Sequence, residues 1–150
     1  SPDFINKLFK EIPKIKFIKL EDPPTPKKIS EILDKTSTEL GIFGGLGGVF
    51  LIEELMRGAI GTMTGFAYPE ILVDTYEHFT NNNINQARSL FFKWLPLIRY
   101  ENQQGISLSI RKHILFKRGI IKTPSTRLPT PTIDKKTEEE LNFLLNDFKL

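Results

Sequence analysis

The sequence predicts an α/β fold with a short parallel sheet, and three observations carry that reading. Short apolar runs alternate with helical stripes from residue 2 to about residue 80. The repeating unit, roughly 25–40 residues, fits the βα repeat of a barrel or a doubly wound sheet with right-handed crossovers. Beyond residue 82 the pattern changes to helical stripes and a proline-rich loop. The expected organisation is a βα part over residues 1–82 and a helical appendage over residues 83–150. With 150 residues, 39% of them apolar, the chain suits a single core of ordinary richness.

Taken in order, Ser1 suits an N-cap, Pro2 the first helical position and Asp3 the positive end of a helix. Phe4, Ile5, Leu8, Phe9 and Ile12 form one apolar stripe, and Pro13 ends that helix. A chain that opens on such a helix start, with no methionine, reads as part of a longer one. Ile15 to Leu20 is strand-like and stops at Pro23-Pro24. Thr25-Pro26 repeats the cap-plus-proline start, with Ile29, Ile32 and Leu33 as the next stripe. Leu40-Gly41-Ile42-Phe43 is a second strand, running into the glycine cluster Gly44–Gly48 and then a helix that ends near Gly58. Ala59 to Gly65 is a third strand, and Pro69 opens a helix that Asn81-Asn82-Asn83 stops.

The appendage begins with a long helix marked by Ile84, Ala87, Leu90, Phe91, Trp94, Leu97 and Ile98. Pro96 should kink it unless the freed backbone finds other partners. Ser107 to Arg118 is a helix stopped by Gly119, and Thr123 to Thr132 an extended loop. Thr137-Glu138-Glu139-Glu140 has the form of a capping box for a last helix bearing Leu141, Leu144, Leu145 and Phe148.

Composition excludes several chemistries. The absence of cysteine removes disulfides, zinc–thiolate sites and thiol catalysis, and two histidines, His78 and His113, cannot form a multi-histidine metal site. No metal is expected. No run is long and apolar enough to span a bilayer and no signal peptide is visible, so the expected setting is cytoplasmic, without a membrane partner. A net charge of +3 with acids and bases interspersed is too mild to argue for nucleic acid.

The most informative stretch is Phe17-Ile18-Lys19-Leu20-Glu21-Asp22. Alternation puts Phe17, Lys19 and Glu21 on one strand face and Ile18 and Leu20 on the other. A lysine on an apolar strand is either a snorkelling strand-end residue or a buried amine able to act as a nucleophile. Glu21, a possible acid or base, would lie about 7 Å along the same face. Its carboxylate would attract the ammonium by roughly 2 kcal/mol at an effective dielectric near 20. The expectation is therefore that Glu21 aims away, is protonated or pairs elsewhere, and that Glu21→Gln leaves Lys19 chemistry intact.

Other candidates each carry two readings. Gly44–Gly48 could let backbone N–H groups approach an anion, although neither dinucleotide nor P-loop spacing is present, or could be a tight turn. Gly61-Thr62-Met63-Thr64-Gly65 could line a pocket or be a crowded strand of small residues. His113, in Arg111-Lys112-His113, reads as part of a solvated face, Tyr68 as a pocket-facing residue or, ahead of that, as packing, and Arg99-Tyr100-Glu101-Asn102 as a helix cap or subunit contact.

Taken together, these residues resemble the second half of a dihydrodipicolinate synthase / N-acetylneuraminate lyase family protein. Phe17-Ile18-Lys19-Leu20-Glu21 is similar to the family's sixth barrel strand with its Schiff-base lysine. Ile42-Phe43-Gly44-Gly45 is similar to the seventh strand and Gly61-Thr62-Met63-Thr64 to the eighth. Arg127-Leu128-Pro129-Thr130-Pro131 matches the loop before the last helix. The resemblance implies the C-terminal part (strands 6–8) of a (β/α)₈ TIM barrel followed by a three-helix appendage. It implies class I lyase or synthase chemistry, in which Lys19 forms an imine with pyruvate or a related 2-oxo acid and the derived enamine adds to an aldehyde, or the reverse. Gly44 and Gly45 would line the pocket, and Met63 would set its backbone carbonyl beside the bound acid. No cofactor is implied beyond the covalent imine, and the partner expected besides substrate is a second copy in a homo-oligomer.

The chain departs from the synthase pattern where Gly-Asp-Asp becomes Gly44-Gly45-Leu46, and where Leu20-Glu21-Asp22-Pro23 follows the lysine. A lysine followed two residues later by glutamate also resembles sugar-acid aldolases and dehydratases of the same family. The family's phenolic proton relay and its carboxylate-holding hydroxyls belong to the first half of the barrel. Three strands leave sheet edges and an apolar face open, so the isolated chain is expected to be inactive or to need a complementary N-terminal half-barrel. The reading from another class is a non-catalytic βα module that binds an anion at Gly44–Gly48 or serves oligomerisation.

Overall fold

The computed structural model describes residues 1–36 and 39–148. The elements follow as α1 (Pro2–Glu11), β1 (Phe17–Lys19), α2 (Thr25–Leu33), β2 (Gly41–Gly44), α3 (Leu51–Met56), β3 (Gly61–Thr62), α4 (Pro69–Thr80), α5 (Ile84–Glu101), α6 (Ser107–Lys117) and α7 (Lys135–Asn146), with a 3₁₀ turn at Leu46–Gly48. The strands form a parallel sheet in the order β1-β2-β3. Lys19 lies opposite Phe43, and Gly44 opposite Thr62. This is the alternating architecture that the apolar pattern predicts, followed by helices.

The strands are shorter than the apolar runs that announce them. Ile15 belongs to a turn, its N–H donating to Ile12 O at 2.9 Å. Ladder bonds nevertheless extend past the strand ends, from Gly41 N–H to Lys16 O, Leu20 N–H to Phe43 O, and Met63 N–H to Gly44 O. The last of these keeps Met63 in register with the C-terminal end of β2.

Two helix starts differ from the expected ones. Thr25 is inside α2, not its cap, and its hydroxyl turns into the protein to donate to Glu54 Oε1 at 2.5 Å. The last helix begins two residues before Thr137: Asp134 is the N-cap and accepts from Thr137 N–H at 2.7 Å, so the proposed capping box is displaced by an acidic cap three residues earlier. Ser1 caps α1 as expected, accepting from Phe4 N–H. α5 runs as one helix through Pro96.

The apolar side chains make two cores. The smaller packs α1 and α2 against the back of the sheet, with Leu20, Ile29, Ile32, Leu40 and Ile42 at its centre. The larger runs from α3 through α4, α5 and α6 to α7, and so crosses residue 82. Trp94 stacks on Phe148 with ring centroids 4.3 Å apart, and Tyr100 Oη lies 2.8 Å from Glu140 Oε2, so α5 holds α7 by a polar contact and the segment just after it by an aromatic one. Tyr68 is buried beside Trp94 under the Arg118 guanidinium, which places it in packing. His113 is not on a solvated face: its side chain is 13% exposed and Nε2 sits 3.3 Å from Glu138 Oε1. The opposite face of the sheet is open, with Phe17 60% exposed against Phe43. Among the described residues, no helix is long and apolar enough to cross a membrane.

Candidate active site

Parallel α/β sheets present functional groups at the carboxyl ends of their strands, and three of the singled-out residues meet there. Lys19 ends β1, Gly45 follows β2 and Met63 follows β3. Lys19 and Met63 line one cavity of about 210 Å³ together with Glu21, Thr64, Asn102 and Arg111.

Within this cavity Glu21 binds Lys19 directly, Oε2 to Nζ at 3.1 Å. The other carboxylate oxygen accepts the Leu46 N–H at 3.0 Å. That backbone donor first, and Lys19 second, hold the Glu21 carboxyl below its ordinary range. The expectation that Glu21 avoids the lysine is therefore overturned. Beyond Leu20, the last ladder donor, the Glu21 side chain swings back along its own face and closes the 7 Å strand spacing. Gly45 makes room for this: a Cβ at residue 45 would lie 2.6 Å from Glu21 Cδ.

Gly44 looks the other way. Its missing Cβ would collide with the carboxyl group of Glu54, which is fully buried behind the sheet. Burial pushes the Glu54 carboxyl up, against the hydrogen bond from Thr25, and Glu54 Oε2 has no hydrogen-bond partner among the described residues. Gly44→Ala is thus expected to cost about 1–3 kcal/mol by overpacking. A urea-unfolding double-mutant cycle should show most of that cost vanishing in a Glu54→Ala background; equal costs in both backgrounds would place the strain elsewhere.

The remaining walls come from the appendage, and the sequence pattern did not single them out as site residues. Glu101, only 1% exposed, accepts the Ala67 N–H with both oxygens at 3.1 Å and pairs with Arg111 Nε at 3.3 Å. Burial pushes its carboxyl up to about 7, against the lowering effects of the Ala67 N–H and Arg111. Asn102 Nδ2 donates to Leu46 O at 3.0 Å. Two adjacent residues at the end of α5 thereby tie down both segments that line the cavity, the turn after β2 and the strand exit after β3. The stretch expected to be a cap or subunit contact does close α5, with Asn102 as its C-cap, and Asn102 also lines the cavity. A usable signal did exist: α6 buries Ile110 and Ile114, so Arg111 sits beside a buried stripe instead of opposite it. Among the described residues no group of three metal-ligating side chains comes together.

No family model matches the chain. It is 28% identical over 142 residues to the L-2-keto-3-deoxyarabonate dehydratase of Azospirillum brasilense, covering 94% of this chain and 46% of the dehydratase. Among solved structures it is similar to the dihydrodipicolinate synthase of Rhodopseudomonas palustris, with 36% identity, a TM-score of 0.93, and coverage of 98% of this chain and 50% of the synthase. The 4-hydroxy-tetrahydrodipicolinate synthase of Methylacidiphilum fumariolicum SolV shares the fold at 20% identity, with a TM-score of 0.87 over 99% of this chain and 49% of that one. The chain spans about half the length of these relatives. The parallel sheet with its helical appendage and the likeness to these relatives make this chain the C-terminal half of a dihydrodipicolinate synthase family protein, the end of a (β/α)₈ barrel with the helices that follow it.

Proposed function

We propose that this chain carries the nucleophile of a Schiff-base lyase or synthase acting on pyruvate or a related 2-oxo acid, and that it works with a complementary N-terminal half-barrel. The observation that carries this reading is Lys19 at the carboxyl end of β1, in one polar cavity with Glu21 and the Met63 strand end. The amine adds to the C2 carbonyl and water leaves, forming the imine. A proton then leaves C3, the imine nitrogen takes up the electron pair, and the resulting enamine adds to an aldehyde. The Met63 backbone lines the acid, while Gly45 makes room for Glu21 in front and Gly44 acts from behind by fitting β2 over Glu54. A carboxyl held below its ordinary range is a weak general acid or base at neutral pH. The role we assign to Glu21 is accordingly to orient Lys19 and anchor Leu46.

A second reading within the same chemistry has its own support. The A. brasilense relative is a dehydratase of a 2-keto-3-deoxy sugar acid, and Gly44-Gly45-Leu46 departs from the synthase pattern. In that reaction the enamine expels hydroxide from C4 instead of adding to an aldehyde. The imine and the C3 proton loss are common to both.

Deuterium exchange at the pyruvate methyl group, followed by proton NMR, tests the shared step. With the complementary half supplied, the methyl signal should fade in D₂O; an unchanged signal would favour a non-catalytic module. A panel of aldehydes beside 2-keto-3-deoxy sugar acids then separates aldol addition from dehydration. The chain alone should show little turnover, and robust activity from it would remove the need for a second half. Glu21→Gln should still form the imine, read by borohydride trapping; loss of trapping would make Glu21 part of the bond-forming machinery.

A further inference from the structure

The cavity holds a second cation that the imine chemistry does not use. Arg111 reaches it from α6, and its guanidinium lies against Gly65, where a Cβ would sit 3.0 Å from Nη1. Glu101 grips the Nε edge from behind at 3.3 Å. Neither terminal nitrogen, Nη1 or Nη2, donates a hydrogen bond to another residue among the described residues. The arrangement is a guanidinium on the cavity wall, held between a buried carboxyl group and a bare glycine, with both terminal nitrogens unbonded among the described residues.

Charge in the cavity is uneven. The Glu21 carboxylate is already committed to Lys19 and to the Leu46 N–H. Among the described residues that line the cavity Glu21 is the only carboxylate, against the two cations Lys19 and Arg111. A fixed guanidinium fork is suited to a planar carboxylate, which it can meet with two N–H donors.

We propose that Arg111 is a specificity-determining residue that receives a carboxylate of the substrate in the Lys19 cavity, an inference that rests on the Schiff-base reading of that site. The carboxylate has two sources, the one beside the 2-oxo group or one at the far end of a dicarboxylic substrate. In either case the ligand class is a 2-oxo acid whose anionic end faces α6, and Glu101 is the positioning residue that sets the fork.

Two readouts test this with the chain and its complementary half. In the first, phenylglyoxal modification of Arg111 is followed by peptide mass, with pyruvate or 2-oxoglutarate as protectant. At least one acid should protect Arg111. In the second, borohydride trapping at Lys19 is titrated with both acids in the wild type, Arg111→Gln and Arg111→Lys. Arg111→Gln should raise the half-saturating concentration roughly tenfold to a hundredfold at an unchanged maximal trapping rate. Arg111→Lys, which keeps the charge against Glu101, should recover only part of the loss. A shift for both acids identifies the carboxylate beside the 2-oxo group, and a shift for 2-oxoglutarate alone identifies the distal one. Equal modification with and without both acids, or wild-type titrations in both variants, overturns the proposal. Protection of Arg111 without any capture at Lys19 refutes the imine reading instead.

Discussion

Lys19→Arg is expected to abolish covalent capture of pyruvate and to lower turnover of the reconstituted site by about 10⁴-fold or more, the scale for removing a group that acts through a covalent intermediate. Arginine is the informative replacement because it keeps what is structural about the residue. It stays cationic and can still pair with Glu21, which lies 3.1 Å from the lysine nitrogen. It cannot supply a free amine, since guanidinium stays protonated in proteins. The site lies at the end of a three-residue strand with the side chain 40% exposed, so the fold should hold. Circular dichroism and urea unfolding should be near wild type while capture is lost. Retained capture in Lys19→Arg would assign the chemistry to another amine.

Glu101→Gln is expected to remove a pH dependence of stability worth about 3 kcal/mol. Burial raises this carboxyl from an ordinary 4.5 to about 7 in the folded chain. Between those values the folded state binds more protons than the unfolded one, so stability falls as pH rises. At 1.36 kcal/mol per pKa unit the shift gives a loss of about 3 kcal/mol, complete above about pH 7 and absent below about pH 4.5. Glu54, also raised, acts in the same direction, while Glu21 and Asp134, both lowered, act in the opposite one at more acidic pH. The difference between wild type and Glu101→Gln isolates the single group. Unfolding free energies at pH 4.5, 5.5, 6.5 and 7.5 should show the wild type losing ground to the variant across that range. Parallel curves would mean that the Ala67 N–H and Arg111 offset the burial.

That cost has a structural return. Ionised Glu101 holds Arg111 and the Ala67 N–H together, and Ala67 closes the segment that carries Met63 and Thr64 into the cavity. A neutral side chain would fold more easily at neutral pH, but would leave the guanidinium without its rear anchor.

The sheet was legible in the sequence because strand alternation and glycine placement act over a few residues. Phe17 and Lys19 against Ile18 and Leu20 assigned the faces of β1 correctly, since the back of the sheet must be apolar to meet α2. The glycines announced a close approach, but not its direction: Gly44 yields to Glu54 from behind and Gly45 to Glu21 in front. Caps were less legible, because Thr25 and Thr137 each had a stronger competitor for the orphan helix donors or for their own hydroxyl. Glu101 and Asn102 were missed as site residues because their partners Ala67 and Leu46 lie 34 and 56 positions away in the chain, and Arg111 because the strand ends whose cavity it lines are more distant still. No local pattern encodes a contact at that separation.

The central claim is that Lys19 is the residue that forms the imine. The most direct measurement is reduction with borohydride in the presence of pyruvate, with the complementary half-barrel supplied, followed by peptide mass mapping. One added carboxyethyl group is expected, on the peptide containing Lys19, and none when pyruvate or borohydride is omitted. Labelling of another lysine, or no labelling at all, would contradict it.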